Sequence, residues 1–181
     1  MALLRALAIL ALLPVTAAAA PRAAPSREYQ IKAGFLFNFI RFVDWPPGAF
    51  PDANAPLVIG ILGEDPFGPF LDDMVGGQTV NGRPLVVERF RSVDEISACH
   101  ILYISRSEAG RLDEILARLK GRNILTVGDA NAFALHGGVI GFATESNRTR
   151  LKINLEAART ADLTISSKLL RPAEIVGTGK D

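Results

Sequence analysis

Five short apolar runs through the middle of the chain limit its fold more than any other feature: LVIGILG (57–63), PLVVERF (84–90), CHILYIS (99–105), NILTVGD (123–129) and GVIGFAT (138–144). The first is continuous and apolar between turn formers, the pattern of a strand buried on both faces. The other four read as further strands. Segments of helical period separate them. EDPFGPFLDDMV (64–75) reads as a loop entering a helix, with Asp65 as N-cap and Pro66 at the first helical position. A tight turn at Gly76-Gly77 or Asn81-Gly82 follows. SEAGRLDEILARLK (107–120) is the clearest amphipathic helix, with Leu112, Ile115, Leu116 and Leu119 on one face, Ser107 as cap and Gly121 as stop. RLKINLEAART (150–160) begins as a half-exposed strand and turns helical after Asn154, and ISSKLLRPAEIV (165–176) closes the chain. Buried strands alternating with helices predict an α/β fold: a single compact domain with a mostly parallel or mixed sheet and helices on both faces.

The ends of the chain set its domain organisation. Arg5 supplies a positive start, Ala6 to Leu13 an apolar stretch, Pro14 a break, and Thr16 to Ala20 a small-residue cleavage region. This is the pattern of a cleaved signal peptide over residues 1–20, and its apolar run is shorter than the roughly 20 residues a membrane span needs. Residues 21–26 (PRAAPS) read as a disordered leader, and 27–181 as the domain. With 20 basic and 19 acidic residues the chain offers no electrostatic reason to bind nucleic acid. Cys99 is the only cysteine, so no intramolecular disulfide can form. No later segment is long and apolar enough for direct membrane insertion.

Residues 32–46, KAGFLFNFIRFVDWP, carry an unusual density of aromatics. A helix is expected from Arg27 to Val43, stopped by Pro46-Pro47. Ile31, Phe35, Phe39 and Phe42 then share one side, widened by Leu36, Ile40 and Val43. Lys32, Asn38, Arg41 and Asp44 exclude a membrane span. Asn38, if buried, must find hydrogen-bond partners. Phe37 falls on the polar side between Arg41 and Asp44, which makes it a candidate contact with a partner or a second protomer.

No catalytic constellation emerges. GILGEDPFG (60–68) places glycines after a strand but lacks both the Rossmann spacing and the P-loop GK[ST]. His100 and His136 have no second ligand at metal-binding spacing, and no G-x-S-x-G is present. Ser166-Ser167-Lys168 lacks the S-x-x-K spacing, Cys99 reads as a buried inert thiol, and Asp72-Asp73 and Asp113-Glu114 as solvated helix faces. No cofactor is implied, and nothing here composes an active site. Arg150 and Lys152 project to one side of a strand, opposite Leu151 and Ile153, and Lys168 and Arg171 follow. They read either as a solvated edge or as a ligand or partner surface. The partner or dimer candidates are therefore Phe37, Arg41, Asp44, Lys168 and Arg171. A ligand crevice at the strand ends would draw on Arg106, Glu108, Arg150 and Lys152.

The strings YQIKAGFLFNFIRFVDWP, VIGILGEDPFG, CHILYISRSE, GGVIGF and INLEAARTADLTISSKLLRPAEIV resemble, in order and spacing, the YfiR family of bacterial periplasmic proteins. The resemblance runs from Glu28 to about Val176. It implies a compact α/β domain that dimerises, located in the periplasm, and a regulator rather than an enzyme. Such a regulator represses an inner-membrane diguanylate cyclase, or another membrane sensor, through its periplasmic sensor portion, and so controls cyclic-di-GMP output and biofilm formation. An OmpA-like outer-membrane lipoprotein is the implied antagonist. A periplasmic small-molecule-binding protein is the alternative reading. Family members often carry a cysteine at the position of Gly60, able to bridge to that of Cys99, and Gly60 removes this partner here.

Overall fold

The computed structural model describes residues 24–145 and 148–177, so the expected signal peptide at 1–20 and the first half of the leader lie outside the described residues. The elements in chain order are α1 (Arg27–Phe39), β1 (Val43–Asp44), β2 (Leu57–Leu62), α2 (Pro69–Val75), β3 (Thr79–Val80), β4 (Arg83–Phe90) and β5 (Ile101–Ile104). They continue with α3 (Leu112–Leu119), β6 (Leu125–Gly128), β7 (Ile140–Glu145), β8 (Arg148–Asn154), α4 (Leu155–Thr160), β9 (Thr164–Ile165), α5 (Ser167–Leu170) and β10 (Glu174–Val176). All five apolar runs are strands.

Eight strands form one mixed sheet in the order β10-β8-β7-β6-β5-β2-β4-β3. The pairs β4–β2, β2–β5, β5–β6, β6–β7 and β8–β10 are parallel, whereas β7–β8 and β3–β4 are antiparallel. The β3–β4 hairpin turns at Asn81-Gly82, both with positive φ, as a two-residue turn with the twist of its strands requires. Each face of the sheet has its own apolar layer. On one face α1, α2, α4 and α5 cover the side chains of Ile59, Ile61, Ile101, Tyr103, Val127, Phe142 and Ile153. On the other, α3 and the segment 93–99 cover Leu62, Phe90, Leu102 and Ile104. Burying Leu36 and Phe39 of α1 in the first layer contributes about 1.5–3 kcal/mol each.

Three local expectations are corrected by tertiary context, and the condition set on Asn38 does not arise. The first helix ends at Phe39, and Val43–Asp44 instead pairs antiparallel with Thr164–Ile165 as a separate two-stranded ribbon. Its buried stripe is rotated from the expected one. Ile31 is 45% exposed, while Lys32 is buried beside Ala33, Leu36 and Phe39, because Lys32 finds a charged partner below the helix. Asn38 is exposed and donates to the Gly34 carbonyl, so it makes no buried demand. Phe37 is half-buried at the edge of the first layer, with Arg41 5.8 Å from its ring, so it has a packing role after all.

Helix starts also differ. Asp65 does not cap α2. Its Oδ1 accepts from the amides of Phe67 and Gly68, forming a turn that delays the helix to Pro69. Before α3 the chain makes a 3₁₀ turn over 106–111, capped by the Ser105 side chain rather than by Ser107. The helix expected after Asn154 starts there as α4, and the Asn154 side chain caps it by accepting from the Ala157 amide.

Candidate functional site

Charged and polar groups converge where the parallel strands end. β5 runs out at Ser105-Arg106 and β6 at Asp129, and α1 crosses above them. Lys32 Nζ lies 2.5 Å from Asp129 Oδ2, with the lysine side chain 1% and the aspartate 0% exposed. The same oxygen accepts from the Tyr29 hydroxyl at 3.1 Å and faces Arg106 Nε at 3.3 Å. Lys32 also reaches Glu28, one turn back on the helix, at 2.5 Å. Its ammonium sits 4.6 Å from the Tyr29 ring and 5.8 Å from that of Phe142. Two cations thus meet two carboxylates, with the Lys32–Asp129 pair buried and Glu28 and Arg106 exposed beside it.

Two tyrosines complete the cluster. Burial first, and the Asp129 carboxylate second, push the Tyr29 phenol above its usual range. The fully buried Tyr103 is raised much further, by burial and then by Asp129. Both phenols therefore remain protonated. The Tyr103 hydroxyl and Asp129 Oδ1 nevertheless close no hydrogen bond with any described residue. Such a group latches α1 to the sheet and aims Arg106, whose Nε is also held by the Asp129 carbonyl at 3.2 Å.

Arg106 stands at the mouth of an open cleft of about 730 Å³. The loop 129–135 forms one wall, β7 from Gly141 to Glu145 another, and Lys152 the far end. Phe133 packs the loop down onto the sheet, and only glycine at 128 and 138 allows it. A Cβ at these positions would lie 2.4 and 2.1 Å from the ring. Lys152 is itself engaged by Glu145 at 3.5 Å and Glu174 at 3.2 Å. Of the four crevice candidates, then, Arg106 and Lys152 share one cleft. Glu108 packs instead against Gly63 at the end of β2 and lies 3.9 Å from Arg111. Arg150 is exposed opposite Ala143, outside the cleft lining.

The partner candidates fall elsewhere. The β1–β9 ribbon brings the end of α1 next to the start of α5, and the Ser166 amide donates to the Phe42 carbonyl at 2.8 Å. Pairing of β1 with β9 therefore brings the segment of Arg41 and Asp44 near that of Lys168 and Arg171, all four exposed, while the half-buried Phe37 neighbours Arg41. Cys99 is buried, its Sγ donates to the Ile101 carbonyl, and burial pushes its thiol up to about 12. A Cβ at Gly60 would lie 2.8 Å from that sulfur, so the two positions are direct neighbours.

A family described as YfiR/HmsC-like matches residues 29–174. The chain belongs to the YfiR/HmsC-like family. The family is one of periplasmic regulators associated with membrane diguanylate cyclases. No curated protein matches this YfiR/HmsC-like chain. A solved conserved domain protein from Vibrio cholerae is similar in fold, with a TM-score of 0.55 at 12% identity over 81% of this chain and 59% of that one. An ABC domain solved in complex with L-Trp from Streptococcus pneumonia gives 0.49 at 12% identity over 66% and 55% of the two chains. This YfiR/HmsC-like protein thus spans less than two thirds of either solved chain, and the likeness to the first concerns fold alone. No described helix is long and apolar enough to cross a membrane.

Proposed function

We propose that this chain is exported to the periplasm and binds the sensor portion of an inner-membrane diguanylate cyclase, or of a related membrane signalling protein, and represses it. The observation that carries this reading is the family match over 29–174, almost the whole described domain. Repression then amounts to differential affinity. Binding the inactive conformation of the sensor more tightly shifts the population towards it, and a competing binder, such as an OmpA-like outer-membrane lipoprotein, reverses the shift. The contact surface is the end formed by Phe37, Arg41, Asp44, Lys168 and Arg171, which also serves a homodimer. Convergence of these residues from two distant parts of the sequence supports one continuous surface.

Deleting the gene and measuring cyclic-di-GMP tests the reading. A rise, reversed by the wild-type gene and not by an Arg41→Glu/Lys168→Glu variant that still folds, is the expected result; an unchanged level counts against repression. The cleft between Arg106 and Lys152 favours a second reading, a site for a small anionic or zwitterionic ligand, consistent with the position of ligand crevices at strand carboxyl ends. Thermal stabilisation by periplasmic small molecules, lost in Arg106→Ala, would support it.

A further inference from the structure

At the opposite, amino-terminal end of the strands, His100 is 2% exposed and both of its ring nitrogens are engaged. Nδ1 accepts a hydrogen bond from the Val58 backbone amide at 3.1 Å, at the start of β2. Nε2 lies 3.1 Å from the Ala49 carbonyl, in the Pro-rich loop between β1 and β2. The tautomer follows from these partners: a backbone N–H can only donate, so Nδ1 is bare and Nε2 carries the proton. The loop folds around the ring. Phe50 stacks on it at 4.2 Å, nearly parallel, and Trp45 meets it edge-on at 6.3 Å. The Trp45 indole donates to the His100 carbonyl at 3.2 Å. Arg83 covers the outer face of Phe50 at 3.9 Å and donates to the carbonyls of Asp52 and Ala55.

We propose that His100 is an acid-sensitive clasp: in its neutral form it holds the 45–55 loop on the amino ends of β2 and β5, and its protonation releases that loop. A proton on Nδ1 would turn it into a donor facing the Val58 donor, and one of the two must move. The core cannot move, because Val58 and Ile101 are central strand residues buried in the sheet. The loop can, since it is held through the ring, the Trp45 indole and Arg83.

The charged surroundings oppose protonation. Arg83, from β4, is the cation facing the ring, while the Asp52 carboxylate of the loop is turned to the Asn54 amide. Cys99, the neighbour in sequence, is buried and neutral. β2 and β6 present the apolar Leu57, Val58 and Leu125. Burial first, and Arg83 as well, hold His100 below its ordinary pKa, against a raising contribution from the Ala49 carbonyl.

The sign follows from linkage. The closed form binds its proton less tightly than the open form, so closure is complete above the ordinary histidine value of about 6.5 and weakens as pH falls. Between that value and the depressed one, the closed-to-open ratio falls by up to about tenfold per pH unit.

Trp45 is the only tryptophan in the chain, so its emission reads the loop directly. The experiment follows that emission from pH 7.5 to 4.5 at constant ionic strength, alongside far-UV circular dichroism. The expected result is a reversible red shift below about pH 6.5 with unchanged secondary structure. It should be absent in His100→Gln, whose amide can accept from Val58 and donate to Ala49 without titrating. It should persist in His136→Asn, because His136 is exposed and its ring bonds to Asp113 of α3. As a check independent of variants, NMR should show His100 titrating below the ordinary histidine value, with its titration shifting the Ala49 and Trp45 signals. Constant Trp45 emission, a shift that survives in His100→Gln, or a shift that coincides with global unfolding would each overturn the proposal.

Discussion

Lys32 and Asp129 offer the sharpest test of how this domain is held together. Replacing Lys32 with Met keeps the length and helix propensity of the side chain but removes the ammonium. The Asp129 carboxylate would then remain fully buried, served only by the Tyr29 hydroxyl and by Arg106, itself 59% exposed. Removing one partner of a buried pair costs about 3–5 kcal/mol, and the surviving contacts place this case near about 3. For a domain of this size about 3 kcal/mol corresponds to a loss of roughly 6–12 °C in Tm. Asp129→Asn should lose at least as much, because Lys32 would keep only the half-exposed Glu28. The double replacement Lys32→Met/Asp129→Leu removes both charges, and should recover most of the loss even though it orphans the Tyr29 hydroxyl. Calorimetry at pH 7 on the three variants gives the answer. If Lys32→Met melts at or above the wild-type temperature, the pair is not a latch and the account of α1 docking fails.

Further outcomes follow from the other contacts. Cys99 should resist thiol reagents at pH 8 until the protein is unfolded, and Cys99→Ser should leave the oligomeric state unchanged; a covalent dimer on a non-reducing gel would contradict both. Gly60→Ala should destabilise by about 1–3 kcal/mol, measured by urea titration, because its Cβ would meet Phe90 at 2.7 Å and Cys99 at 2.8 Å. Gly60→Cys should form an intramolecular bridge to Cys99 under oxidising conditions, seen by mass spectrometry as the loss of two hydrogens; two free thiols would refute it. Phe37→Ala should weaken association while lowering Tm only modestly, since the ring is half-buried; a large drop in Tm with intact association would return it wholly to the core.

The strands were readable in the sequence because a buried strand needs an unbroken apolar run, and LVIGILG or NILTVGD can scarcely be anything else. α3 was readable because Leu112, Ile115 and Leu119 keep helical phase on one covered face. α1 was misphased for a physical reason: local periodicity assigns a lysine to solvent, whereas Lys32 is neutralised by Asp129, a residue 97 positions away. The core of the charged cluster was invisible on the same grounds, although Arg106 was expected at the strand ends. The β1–β9 ribbon was missed because two-residue strands carry no period. Its consequence, that the segment of Arg41 and Asp44 lies near that of Lys168 and Arg171, could not be read from either segment alone.

That ribbon and the Lys32–Asp129 pair have a consequence for how the chain acquires its structure. α1 is the first described element, yet its buried partner lies on the loop after β6, and β1, which follows it, pairs with β9 just before α5. A chain delivered from its N-terminus would present Phe35, Phe37, Phe39 and Phe42 without cover until nearly all of it had arrived. Such long-range closure slows folding and prolongs exposure of sticky surface. The aromatic helix that caps the finished domain is thus, during biogenesis, the segment most in need of a chaperone.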